Sequence, residues 1–320
     1  MGNCFSAKSV SQITLDGPRQ GNGSHQPSYP INFKIKPYKI PATEVQKLGL
    51  YPNGSGGLGD VWMCSWSPQS QDGTSKVAVK LVRVPQADDT ELVNKTSKRI
   101  RREAYVWIKL EHENILPFNG VVDGFGILPA LVSPWMENGS LDNYLTKGFV
   151  LSEADKLRML RQMAAGLNYL HEKGVVHGDL TCTNVLISAD QRLYLADFGL
   201  SVILSETQNS TFNSYHQGNV RWMAPEMFAM PDQGGVVMPT KAADVYSYGC
   251  IMLQLFCGRV PYLWLTKAHH IIAARVAGTE PFRHFSDIED VYKDFALRCI
   301  SVNFDDRPVA SAIVEFLGVE

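Results

Sequence analysis

The stretch VVHGDLTCTNVLI, residues 175–187, places polar groups between two apolar runs. Two of these groups, Asp179 and Asn184, have side chains suited to chemistry. A carboxylate held at the end of an apolar scaffold can accept a proton from an attacking hydroxyl, and an amide oxygen can bind magnesium. The stretch therefore predicts a site that handles a proton and a metal ion on a buried framework.

Further candidates follow downstream. In LYLADFGLS, residues 193–201, Asp197 comes directly after an apolar strand, where a carboxylate can bridge magnesium to phosphates. RWMAPEM and the later DDRP contribute Glu226 and Arg307, which we predict to form a buried ion pair. These motifs extend the predicted site toward phosphate chemistry.

Upstream, GSGGLGDV places glycines in a G-x-G-x-x-G-x-V pattern that ends at Val61. Glycines let a backbone approach phosphates closely. A dinucleotide-binding fold would have a helix after these glycines, but here a strand follows. The pattern therefore predicts a β-hairpin that covers a bound nucleotide. VAVK then ends in Lys80, and Glu103 in RIRREAYVWIKL is its candidate anionic partner.

The composition is that of an ordinary soluble globular protein. The chain has 320 residues, of which 45% are hydrophobic and 19% charged. A net charge of -2 gives no electrostatic case for nucleic acid as a partner. The six cysteines form no C-x-x-C pair and the N-terminus has no apolar secretory core, so we expect a cytoplasmic setting.

The chain divides into a tail and one domain. Residues 1–43 are rich in polar residues, glycine and proline, and we predict that most of them are disordered. Residues 44–320 carry a continuous pattern, with strands first and helices afterwards. In the helix predicted over 151–174, Ser152 and Asp155 have capping-box spacing. Its apolar face comprises Leu157, Leu160, Ala164, Leu167 and Leu170. VYSYGCIMLQLFCG is too short to span a bilayer and predicts a buried core helix.

Taken in order, these motifs resemble those of the eukaryotic protein kinases. HENILPFNG and GNVRWMAPEM are most similar to the tyrosine-kinase-like branch, whose members are mostly serine/threonine-specific. The resemblance covers residues 44–320 and implies the α+β, bilobal kinase fold. It places a small β-rich N-lobe at about 44–136 and a larger α-helical C-lobe at about 137–320.

The resemblance also assigns roles. It implies ATP and Mg²⁺ as cofactors, a protein substrate, and Asp179, Lys80 and Glu103 as catalytic residues. Asn184 and Asp197 are the implied metal ligands. The implied nucleotide contacts are Gly54, Gly56, Gly59, Val61, Ala78, Lys80, Met136 and Leu186.

Two alternatives to an active protein kinase stay open. Small-molecule phosphotransferases often carry H-G-D in this loop, but they generally lack the APE segment and the helix that bears RP. An ATP-binding pseudokinase scaffold is suggested by Gly178, where kinases usually have arginine, and by Thr181, where serine/threonine kinases usually have lysine. We favour an active serine/threonine kinase because the implied phosphate, metal and proton groups are all present.

The N-terminus, MGNCFSAKSV, predicts lipid modification. Gly2 and Ser6 complete the M-G-x-x-x-[ST] pattern for N-myristoylation. One myristoyl chain holds a membrane only marginally, and Cys4 could carry a palmitoyl group as the second signal. We therefore expect the chain at the cytoplasmic face of a membrane.

Overall fold

The computed structural model describes residues 37–56, 59–69, 73–83, 88–148, 151–198, 219–228, 237–283, 285 and 288–319. The helices and strands that position the site lie within these ranges. The strands are β1 (Lys39–Ile40), β2 (Val45–Lys47), β3 (Gly54–Gly56), β4 (Gly59–Trp66), β5 (Ser75–Val82), β6 (Gly120–Val122), β7 (Ala130–Pro134), β8 (Gly139–Ser140), β9 (Val185–Ile187) and β10 (Leu193–Leu195). The helices are α1 (Thr90–Trp107), α2 (Leu141–Thr146), α3 (Glu153–Glu172), α4 (Lys241–Cys257), α5 (Ala268–Val276), α6 (Asp290–Cys299) and α7 (Ala310–Leu317).

A seven-stranded sheet builds the N-terminal lobe, in the order β1-β6-β7-β5-β4-β2 with β3 paired to β4. Side chains alternate between the two faces of a strand. On β5, Val77 and Val79 are buried in the core of this lobe. Ala78 and Lys80 therefore lie on the opposite face. Because of this alternation, the side chain of Lys80 points away from the core of the lobe and can contact residues outside it.

The sheet begins earlier than the sequence predicts. Strand β1 pairs in parallel with β6, with Ile40 opposite Val122, and Ile40 is buried. Strand β1 therefore lies within the segment that the sequence assigns to the tail. The rest of that segment up to residue 36 lies outside the described part of the chain, so its disorder stays a prediction. A two-residue strand between Pro37 and Pro41 gives no periodic signal, and its register comes from a partner strand far along the chain.

Helices dominate the C-terminal lobe, with a small sheet in the order β10-β9-β8 beside them. Ser152 caps α3 as predicted, because its hydroxyl accepts the Asp155 N–H at 3.1 Å. The predicted apolar face of α3 packs in the main core, with Leu157 partly buried and the other four members fully buried. The predicted two-lobe α+β fold is confirmed.

Helix α4 is the central helix of this core. It is buried on all sides along most of its length, as expected for a helix that is apolar all round. Gly258 ends it with a φ of 64°, the left-handed conformation that suits glycine. Among the described helices, none is long and apolar enough to cross a bilayer. The predicted buried core helix is confirmed.

The predicted ion pair between Glu226 and Arg307 is also confirmed. The two guanidinium nitrogens lie 2.6 and 2.8 Å from the two carboxylate oxygens. Arg307 also donates to the carbonyl of Ala242, in α4, at 3.0 Å. A two-point pair of this kind fixes orientation as well as charge. It fastens the segment around Glu226 to the helical core.

We expect Gly249→Ala to lower the free energy of unfolding by about 1–2 kcal/mol. Alanine normally stabilises a helix interior by about 1 kcal/mol relative to glycine. Here the added Cβ would lie 2.6 Å from Cβ of Cys299 and 2.8 Å from Cγ2 of Ile300, so α4 and α6 would have to separate. Urea denaturation measures the difference.

The matched control is Gly49→Ala. Its added Cβ would come no closer than 3.6 Å to another atom, the carbonyl oxygen of Tyr51. We expect a change within about 0.5 kcal/mol for this control. A Gly249→Ala protein that is more stable than the wild type would contradict the proposed close contact between the two helices.

Candidate active site

The glycine motif forms a hairpin between β3 and β4. Gly54 pairs with Val61 and Gly56 with Gly59, while residues 57–58 at the tip lie outside the described part of the chain. A Cβ on Gly59 would lie 1.8 Å from the carbonyl oxygen of Leu81 on β5. Only glycine therefore fits where the hairpin lies against β5, and the predicted strand after the motif is present.

Lys80 connects the sheet to the C-terminal lobe. It lies within β5, paired with Val61 on one side and Leu131 on the other. Its Nζ lies 2.5 Å from Oδ1 of Asp197, and the two side chains are 13% and 30% exposed. The structure thus brings together two predicted site residues from different lobes. Glu103 lies in α1, but its side chain is outside the described part, so its pairing with Lys80 stays a prediction.

Most of the stretch at residues 175–187 forms the loop between α3 and β9. Asn184 donates its side-chain N–H to the backbone carbonyl of Asp179 at 2.7 Å and to Oδ2 of the same residue at 3.1 Å. The backbone carbonyl of Asn184 accepts the N–H of Ala196 at 2.9 Å. Asp197 follows directly, so the loop and the second metal-ligand candidate are tied together by backbone.

Asp244, near the start of α4, anchors this loop from below. Its two oxygens accept the backbone N–H groups of His177 at 2.8 Å and Gly178 at 2.7 Å, and Oδ2 lies 2.8 Å from Nε2 of His171. The carboxyl group is buried, with 1% of the residue exposed. The sequence reasoning missed Asp244. The available signal was an acidic residue at the edge of an otherwise apolar helix.

Gly178 has a physical reason to be glycine in this loop. Its φ is 76°, in the left-handed region that side chains disfavour. The conformation directs its N–H to Asp244. A residue with a side chain would pay a backbone penalty here, which glycine avoids. Thr181, the other unusual residue of the loop, is buried, and its hydroxyl lies 2.7 Å from that of Thr183.

Asn219 is a second residue that the sequence reasoning missed. Its side-chain N–H donates to Oδ1 of Asp179 at 2.7 Å. Both carboxylate oxygens of Asp179 therefore accept a hydrogen bond from an asparagine, Asn219 on one side and Asn184 on the other. No signal near Asn219 in the sequence indicated this contact, because it joins segments that are far apart in the chain.

The electrostatic environment of Asp179 combines opposing effects. Burial raises the pKa of its carboxyl group to about 7, and the charge of Asp197 adds to the increase. Hydrogen bonds from Asn219 and Asn184, together with the charge of Lys80, act in the opposite direction on this pKa. A carboxyl group poised in this range can take up a proton during a reaction near neutral pH.

Asp197 has an unusual backbone, and Phe198 secures it. Asp197 has a φ of 61°, which aspartate tolerates better than most residues. Phe198 is buried, with its ring edge-on to Trp107 of α1 at 5.8 Å and to His177 at 6.3 Å. The aromatic contacts thereby link α1, the loop and Asp197.

The other predicted nucleotide contacts lie on three different elements. Ala78 faces Ser133 across the β5–β7 pair. Met136 follows β7, and its carbonyl accepts the N–H of Gly139 at 3.0 Å. Leu186 lies on β9. The segment between these elements and the APE motif, residues 199–218, lies outside the described part of the chain.

The metal-ligand candidates are one amide and one carboxylate. Among the described residues, no group of three or more histidine, cysteine, aspartate or glutamate side chains could hold a metal ion. Mg²⁺ usually keeps several waters and binds through one or two carboxylates plus substrate phosphates. The oxygen donors of Asn184 and Asp197, held together through Ala196, fit an ion that arrives with a nucleotide.

Comparison with known proteins shows which family the chain resembles. The family described as protein tyrosine and serine/threonine kinase matches residues 51–317. The chain is 32% identical over 224 residues to mitogen-activated protein kinase kinase kinase 3 of Arabidopsis thaliana, covering 68% of this chain and 37% of that protein. It is 30% identical over 243 residues to serine/threonine/tyrosine-protein kinase HT1 of the same plant, covering 75% and 59%.

The chain thus spans less than two thirds of the length of these two relatives. The family match extends from just before the glycine hairpin through α7 and includes the cleft residues named above. This match does not support the small-molecule phosphotransferase alternative. It confirms the resemblance to protein kinases that was inferred from the motifs and their order along the chain. The chain belongs to the protein tyrosine and serine/threonine kinase family.

Proposed function

We propose that the chain is an active protein kinase that transfers the γ-phosphate of ATP to serine or threonine hydroxyls of proteins in intracellular signalling. One observation carries the proposal: the Lys80–Asp197 ion pair lies beside the Asp179–Asn184 pair. Phosphoryl transfer depends mainly on positioning and charge neutralisation. A cation, two carboxylates and an amide oxygen in one cleft supply both.

Nucleotide binding would use both lobes. The glycine hairpin would cover the phosphates with backbone N–H groups, and Lys80 would bind the α- and β-phosphates. The base would lie among Val61, Ala78 and Leu186, with the backbone of Met136 as its hydrogen-bonding partner. Pro134 cannot donate a backbone hydrogen bond, which favours Met136 for this role.

Protein kinases generally use Mg²⁺ together with ATP. The carboxylate of Asp197 and the side-chain oxygen of Asn184 would hold the ion, which shields the negative charge of the phosphates. The amide nitrogen of Asn184 already donates to Asp179, so its oxygen is the atom left for a metal. Because Lys80 bonds to Asp197, it would have to share that carboxylate with the ion or turn to the phosphates.

Asp179 would orient the acceptor hydroxyl and receive its proton. The two asparagine amides fix the plane of the carboxylate, so the hydroxyl would approach a base of defined orientation. Serine/threonine kinases usually have a lysine at the position that Thr181 occupies in this loop. One positive charge near the transferring phosphoryl group is therefore absent from this loop. We propose slower turnover as the consequence, not loss of turnover.

We predict that the chain with Mg²⁺ and ATP phosphorylates a general protein acceptor such as casein, on serine or threonine. Asp179→Asn should lower the rate at least about 100-fold, because it removes a proton acceptor. ATP with Mg²⁺ should still raise the melting temperature of this variant, since the nucleotide contacts remain. Lys80→Met should lose most of that increase. Radiolabel transfer, phosphoamino-acid analysis and thermal scans provide the measurements.

The control is Asp123→Asn, at a half-exposed aspartate that pairs with Lys39 on the surface. It should transfer phosphate at the wild-type rate. A wild-type protein that is stabilised by ATP yet transfers nothing would instead identify a pseudokinase scaffold. Mainly phosphotyrosine in the product would contradict the proposed serine/threonine specificity.

We also propose that the N-terminus anchors the chain to the cytoplasmic face of a membrane. Gly2 and Cys4 lie outside the described part of the chain, so the proposal rests on the M-G-x-x-x-[ST] pattern and the neighbouring cysteine. Two acyl chains bind a membrane stably, whereas one binds it reversibly. A single nearby lysine, Lys8, is too little charge to act as the second signal.

Cell fractionation tests this anchor. We expect the wild type on membranes, Gly2→Ala in the soluble fraction, and Cys4→Ser only weakly attached. Lys8→Ala serves as the control and should stay on membranes, because acyl chains rather than charge would supply the binding energy. A wholly soluble wild-type protein in cells that acylate other proteins would overturn the proposal.

A further inference from the structure

A groove lies on the C-terminal lobe, outside the active site, between the segments that follow α4 and α5. Its volume is about 270 Å³. Cavities for drug-sized ligands hold about 300–1,000 Å³, so this groove suits single side chains of a peptide better than a nucleotide. We call it the 259–283 groove, and its main lining residues are Arg259, Val260, Leu263, Trp264, Phe282 and Arg283.

The lining of the 259–283 groove is apolar but open. Phe282 is buried, whereas Val260 and Trp264 are half-buried. Leu263 is 54% exposed, although it is a large apolar residue. Protein interfaces concentrate their binding energy in residues of these kinds, with tryptophan and arginine enriched among them. The groove therefore has the composition of a recognition site.

Two exposed arginines, Arg259 and Arg283, flank the groove. The guanidinium carbon of Arg283 lies 4.1 Å from the centroid of the Trp264 ring, which holds the charge beside the apolar surface. Among the described residues, neither arginine forms an ion pair with a carboxylate. The positive charge is thus available to an acidic partner.

The groove is preformed, because hydrogen bonds join its two walls. The N–H of Tyr262 donates to the carbonyl of Pro281 at 2.8 Å. The hydroxyl of Tyr262 donates to the carbonyl of Thr279 at 2.7 Å. A site that is already ordered loses less entropy when a partner binds. Tyr262 therefore keeps the groove ready for an occupant.

The same wall is attached to the active site. Arg221 donates to the carbonyls of Tyr262 and Leu265, each at 2.8 Å. Two residues before Arg221, the side chain of Asn219 donates to Asp179. A polypeptide held in the groove would therefore lie beside a segment that contacts the predicted catalytic base. This continuity favours a substrate over an unrelated partner.

We propose that the 259–283 groove binds an apolar side chain of a protein substrate, flanked by acidic residues, away from the hydroxyl that accepts the phosphate. The apolar side chain enters between Leu263 and Phe282, and the acidic residues pair with Arg259 and Arg283. The identity of the occupant as a substrate rests on the proposed kinase function. Binding itself does not require turnover.

The test uses a fluorescein-labelled peptide with one phenylalanine between two pairs of aspartates. Fluorescence anisotropy with the full chain should show saturable binding that weakens as salt is raised, because the arginines are exposed to solvent. Arg283→Glu should raise Kd at least about tenfold. Replacing the phenylalanine of the peptide with alanine, or its aspartates with lysines, should abolish binding.

The matched control is Arg298→Glu. Arg298 is also exposed and also lies over an aromatic ring, 5.0 Å from the centroid of Phe295, but it is outside the groove. Its Kd should equal that of the wild type. No binding at millimolar peptide, an unchanged Kd in Arg283→Glu, or equal binding of the alanine peptide would each overturn the proposal. So would binding of phosphatidylserine vesicles through Arg283 without binding of the peptide.

A transfer assay separates this inference from the proposed function. If the wild type transfers phosphate but the peptide does not bind, the groove proposal fails and the kinase proposal stands. If the peptide binds through Arg283 but no variant or wild type transfers phosphate, the groove is a binding site and the kinase proposal fails. The two failures are thus distinguishable.

Discussion

The buried carboxylate of Asp244 is the constraint on which the site depends. A charge that is removed from water is costly unless several donors surround it. Here two consecutive backbone N–H groups and the imidazole of His171 fill that need. Because the N–H groups belong to His177 and Gly178, any shift of the loop would leave a buried charge unsatisfied. The residue that follows them, Asp179, inherits this fixed position.

Neutral amides then set the orientation of Asp179. Asn184 comes from the same loop, whereas Asn219 comes from the segment beyond residues 199–218, so the carboxylate is held between two parts of the chain. The position that usually supplies a cation holds Thr181, which pairs with a neighbouring hydroxyl instead. The site thus emphasises orientation over added positive charge, which is why we propose a competent but slower enzyme.

Four residues of the candidate site could be predicted from the sequence because short motifs around them indicate their roles. Lys80, Asp179, Asn184 and Asp197 each belong to a short stretch whose neighbours fix the element and the chemistry. Asp244 could not be assigned in this way, since it contacts a loop more than sixty residues earlier, a separation of 67 for its bond to His177. The local sequence shows an acidic residue at the edge of an apolar helix, but it does not specify which residues that carboxylate contacts.

Two other features of the structure, the strand at Ile40 and the contact of Asn219, have no signal in the sequence for related reasons. The strand at Ile40 is too short for periodicity, and it exists because a distant strand pairs with it. Asn219 looks like an ordinary polar residue, and its partner is 40 residues away in the chain. Where tertiary contacts rather than patterns select a conformation, single-sequence reasoning has no signal to use. Helix α4, by contrast, was predictable because its continuous apolar run is itself the cause of its burial.

Hydrogen exchange in the loop is the most direct test of the central claim that Asp244 holds the site in place. Amide exchange of residues 176–184 should be compared between the wild type and Asp244→Asn, each shown to be folded by circular dichroism. We expect the amides of His177 and Gly178 to be protected in the wild type and to exchange much faster in the variant, with phosphate transfer lost in parallel. Unchanged protection of these two amides would contradict the claim.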